Sequence, residues 1–190
     1  MPLQFTYITT GDDEPALALP YRAEERIGRR NHGFFDLRGD PERARSIAEA
    51  ASSPAFQDLL AQLADSHSRY FSVGCELGDG PVTLEGGAAG HCSGGYVQIA
   101  HNELHSPAAL HNGPQGVLAR DMRAFLDGVV GDRLWAVRFI VTVIGVEALG
   151  GPEQVWSPLI EMDAIAENAE HAAQSAEQLF VALGEFFRQV

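Results

Sequence analysis

Lysine is absent from this chain: all thirteen cationic residues, among 190, are arginine. That excludes the glycine-rich phosphate loop, whose lysine must reach the terminal phosphates of a nucleotide. Cysteine is scarce as well, only Cys75 and Cys92. Two thiols make no disulfide framework, and they are expected to be reduced in the cytoplasm. The opening residues, MPLQFTYITTGDDEP, lack the basic start and apolar core of a signal peptide. Long apolar runs are missing too. The longest, residues 134–146, is broken by Arg138 and is too short to span a bilayer.

Positive charge is the largest deficit. Twenty-six acids against thirteen arginines leave a formal net charge of −13. Nucleic-acid binding draws its affinity from cations that displace counterions from phosphate, so this balance argues against it. Anionic membranes repel such a chain for the same reason. A basic protein or a metal ion is the partner that suits its field, although acidity also keeps a protein soluble. Arg22, Arg26, Arg29 and Arg30 form a local exception; interleaved with glutamates, they read as a solvated segment.

What is present is the material of a folded body: 45% hydrophobic residues, 21% charged, and a length that suits a single α+β domain over 1–190. Phe5 to Thr9 reads as a strand, followed by an irregular polar stretch. Asp40-Pro41 and Ser53-Pro54 each place a capping side chain before a proline, the usual start of a helix. Residues 41–63 are therefore expected to form two helices or one kinked helix. Tyr70 to Leu77 is expected to be a strand, and the glycine-rich residues 78–95 a loop with at most a short strand at 82–84. Another strand is expected from Tyr96 to His101. Leu118, Met122, Phe125, Leu126 and Val129 mark an amphipathic helix. Residues 134–146, apolar on both faces, predict a central strand paired with Val155 to Met162 across Gly150-Gly151-Pro152. A last helix is expected over about 166–187.

These elements run strand–strand–helix three times, with Phe5, Tyr70 and Trp135 opening the units at 65-residue intervals. The expected fold is a largely antiparallel sheet with helices packed on one face, and the spacing suggests a threefold pseudo-repeat.

Chemistry concentrates in GHCSGGYVQIAHNELH, residues 90–105. Gly90-His91-Cys92-Ser93-Gly94 matches the G-x-C-x-G pattern of a nucleophile elbow. Its flanks are not the buried strand and helix that such an elbow needs. His101 and His105, four residues apart, share a face of a helix or strand; Glu103 joins them only on a strand. With His111 they form a candidate set of ligands for zinc or another transition metal. Cys92 with His91, or else His101 or His105, as base and with Glu103 is the alternative catalytic set, for a small hydrolase. Glu161 and Asp163 share a strand face and read as its solvent side. Trp135 and Trp156 are expected to face each other across the last hairpin.

No set of residues here is complete enough to specify catalysis. The class that charge and size favour is a cofactor-free cytoplasmic protein-binding module. Its sharpest form is a stoichiometric inhibitor or immunity-type protein that neutralises a basic partner such as a bacterial toxin. Self-association into a homo-oligomer is compatible with either class.

Overall fold

A computed structural model of the chain describes residues 3–10, 17–26, 29–103 and 114–190. Its centre is a six-stranded sheet. Strands β5 (Tyr70–Thr83) and β6 (Ala89–His101) form one hairpin, and β7 (Leu134–Gly145) and β8 (Val155–Ala166) another. The hairpins meet through antiparallel pairing of β6 with β8. Strand β1 (Leu3–Thr9) joins the free side of β7 in parallel, and β2 (Leu17–Ala18) continues along that side, giving the order β1-β7-β8-β6-β5. The fold is the expected α+β class, mostly antiparallel.

Only the second and third units contribute a hairpin to this sheet. The first differs because β1 is paired with β7, far along the chain, while residues 33–38 form no strand. The polar stretch expected to be irregular contains a small hairpin, β3 (Glu24–Arg26) with β4 (Arg29–Asn31). Three of its residues belong to the arginine-rich segment.

Helices α2 (Pro54–Ala64), α3 (Pro114–Val129) and α4 (Ala169–Phe187) cover one face of the sheet. Alternation on the strands explains which residues they bury. Trp135, Val137, Phe139 and Val141 of β7, with Ile160, Met162 and Ala164 of β8, point to the helices and are almost fully buried. Phe56 of α2 meets Phe180 of α4 with ring centroids 4.9 Å apart. The helix starts are those the sequence marks. Asp40 accepts from the Arg43 N–H at the head of α1 (Pro41–Arg45), Ser53 from Phe56, and Asn168 from His171. Ile47 is extended, so residues 41–64 form separate helices joined by a 3-10 turn at Ala48–Ala50.

On the opposite face a smaller cluster, including Leu19, Phe71, Ala100, Ile144 and Val155, lies under the segment around Leu17 to Phe34. Among the described residues, this cover lies over one end of the face. Among the described residues, no helix is long and apolar enough to cross a membrane.

The glycine-rich loop is a correction. Residues 78–95 continue the β5–β6 ladder nearly to its tip, where a 3-10 turn spans Glu85–Gly87. At two of its glycines, Gly94 and Gly95, the neighbouring backbones come close. A Cβ on Gly94 would collide with the Met162 carbonyl oxygen, and one on Gly95 with that of Glu76. Close approach between strands had been mistaken for turn chemistry.

Candidate functional site

Of the residues singled out in the sequence, those from Gly90 to His101 fall on both faces of the β5–β6 hairpin. His91 and Cys92 are adjacent in β6, so their side chains point to opposite sides of the sheet. His91 turns toward α4. Its Nε2 lies 3.4 Å from Oδ2 of Asp79 on β5. The pair lines a cleft of about 320 Å³, shared with Ser53, Ser93, Glu177 and Phe180. Glu177 accepts the Ala55 N–H, 2.9 Å away, at the start of α2.

Cys92 faces the other way and donates to Asp163 Oδ1 at 3.3 Å. Burial and the Asp163 carboxylate push its thiol up to about 12, so it stays protonated at neutral pH. Cys75 is raised to about 12 as well, by burial and by Glu49 and Glu76. A nucleophilic cysteine needs the opposite shift. The structure therefore does not bring Cys92 and His91 together as thiol and base. Cys92 also lies within a strand rather than on a strand-to-helix elbow, as its flanks implied.

Of the candidate metal ligands, His101 ends β6, where its Nδ1 accepts the Glu103 N–H at 3.1 Å and its ring meets Tyr70 edge-on. His105 and His111 lie outside the described residues. His91 and His101 share the helix side of β6 but are ten residues apart, roughly 33 Å along a strand, too far for one coordination shell. Among the described residues, no group of three or more histidine, cysteine, aspartate or glutamate side chains could hold a metal ion.

The helix-free face carries a different constellation. Register places Glu76 opposite Tyr96, Tyr96 opposite Glu161, and Glu161 opposite Arg138. One rung across β5, β6, β8 and β7 thus reads Glu, Tyr, Glu, Arg. Asp163 lies two residues along from Glu161 on the same face, and Ile140, Leu159 and Ile165 surround the acids, half-exposed. Arg138, the one base among the strand residues of this face, sits 2.6 Å from Glu161. The solvent side expected for Glu161 and Asp163 is where they lie. Trp135 and Trp156 do not face each other: Trp135 is opposite Ala164 and Trp156 opposite Val143. The Trp135 indole N–H donates instead to Ser175 of α4.

Sequence reasoning passed over Glu76, Asp79 and Tyr96. The two acids lie in or beside a stretch read as a glycine loop, where no alternation was sought. No protein-family model matches this chain, and neither a curated protein nor a solved structure matches it significantly.

Proposed function

We propose that this chain is an acidic protein-binding module that captures a basic protein through the helix-free face of its sheet. The observation that carries the reading is the rung of Glu76, Tyr96 and Glu161, with Asp163 beside it, set among Ile140, Leu159 and Ile165. Apolar area supplies the contact and carboxylates select its sign, the two components of a charge-selective interface. A net charge of −13 adds long-range attraction for a cationic partner. The finer form of this function is a stoichiometric inhibitor of immunity type, held against a basic toxin.

The test is capture from lysate of the source organism with the native chain and with a Glu76→Lys/Asp163→Lys variant. A basic protein retained by the native chain and lost by the variant supports the reading, provided its association rate falls steeply with added salt. Retention indifferent to both the substitutions and the salt removes it.

A second reading, a small hydrolase, is favoured only by the cleft, where Asp79 can orient the His91 imidazole as a general base. It calls for ester or amide turnover that a His91→Ala substitution abolishes.

A further inference from the structure

We propose that the free edge of β1 is a self-association site, where a second copy of this chain adds its own β1 antiparallel to extend the sheet. The two edges of the sheet are treated differently. Beside β5 the 3-10 turn at Ala48–Ala50 packs on the strand, and Phe35, Leu37, Ile47 and Glu49 line a small cavity with Cys75. Beyond β1, among the described residues, no strand pairs. The strand pairs with β7 without a bulge from Leu3 to Thr9. Its sequence, LQFTYIT, contains no charge, proline or glycine, so the strand itself lacks the residues that usually blunt an edge. Tyr7 and Ile8 are 47% and 39% exposed.

The direction of the unpaired groups follows from one bond. The Thr10 N–H donates to the Val141 carbonyl oxygen at 3.1 Å. In a parallel ladder, alternate residues turn both backbone groups to the same side. The even-numbered residues of β1 therefore bond to β7. Leu3, Phe5, Tyr7 and Thr9 turn N–H and C=O outward, four donors and four acceptors in a row.

A second copy is the occupant that matches this row. With Thr6 opposite Thr6 of the other copy, Leu3 meets Thr9 and Phe5 meets Tyr7, so every outward residue finds an outward residue. The pairing sets aromatic side chains across from each other on the helix side and Gln4 across from Ile8 on the other. No charge is placed opposite a like charge, which would be hard to arrange elsewhere on a chain this acidic. The twofold axis also brings the two α3 helices to the same side of the joined sheet. That helix packs beside β1 and exposes Val117 and Val129.

Sedimentation equilibrium across the micromolar range tests the assembly, with circular dichroism to confirm folding. The native chain is expected to dimerise. Thr6→Lys, which sets lysine against lysine at the axis, should weaken the dimer about tenfold or more, whereas Thr6→Val should leave it intact. Thr6→Cys tests the register directly, because opposed residues at such a position lie within disulfide reach. It should give an oxidised, reducible dimer on a denaturing gel that the native chain does not. A native chain that stays monomeric overturns the proposal. So does a dimer that Thr6→Lys leaves unchanged, or one that Thr6→Cys fails to cross-link.

Discussion

Cys92 and His91 are joined by a peptide bond, yet they work in separate environments, because a strand sends successive side chains to opposite sides. The protonated state of Cys92 has a direct chemical readout. At pH 8 its alkylation by iodoacetamide is expected to run at least about a hundredfold slower than that of an unhindered thiol. Asp163→Asn removes a negative charge that opposes the thiolate, so ionisation moves down and alkylation should speed up by about tenfold. An unchanged rate would mean that Asp163 has no hold on this sulfur. Trp135 gives a second readout at this scale. Phe in its place keeps most of the ring but leaves Ser175 without its donor, at a cost of about 1–2 kcal/mol in urea unfolding. In β8 the solvent side was legible from alternation, marked by Glu161 and Asp163; in β7, apolar on both faces, the inward side was not. The partners of His91 and Cys92 were not, since Asp79 and Asp163 come from other strands and only the register brings them into reach.

At the level of elements, the sequence was read correctly where the signal is local. A capping side chain before a proline located the starts of α1 and α2, because the backbone groups that it satisfies lie within the next three residues. Ser53→Ala should therefore cost about 1 kcal/mol, seen as a lower thermal midpoint; no loss would show that Glu177, bonded to Ala55, suffices to hold the start of α2. The reading failed where the signal is shared between distant segments. Gly94 and Gly95 resemble a turn in one dimension, and in three each sits against the backbone of a neighbouring strand. Gly94→Ala should cost about 3 kcal/mol or more, because the obstacle is the backbone of β8 and cannot rotate away. Its unfolding midpoint, measured against Gly80→Ala at an open position of β5, separates close packing from the general effect of a lost glycine. The parallel pairing of β1 with β7 was equally hidden, since nothing in LQFTYIT names a partner more than a hundred residues away.

Over the whole molecule, charge and its absence are laid out on different borders of one sheet. The strands of the helix-free face carry Glu76, Glu161 and Asp163 with Arg138 as their one arginine, and β1 carries no charge at all. Added salt should act on the two in opposite senses. Capture of a basic partner should weaken as its attraction is screened, while self-pairing along β1 should tighten as repulsion between two bodies of −13 fades. Measuring both constants at low and high ionic strength checks the division, and a common direction would refute it. A neutral hem on an acidic cloth thus has a practical meaning. The composition of the solution would decide whether this molecule meets its own kind or a stranger, with no conformational change to carry the choice.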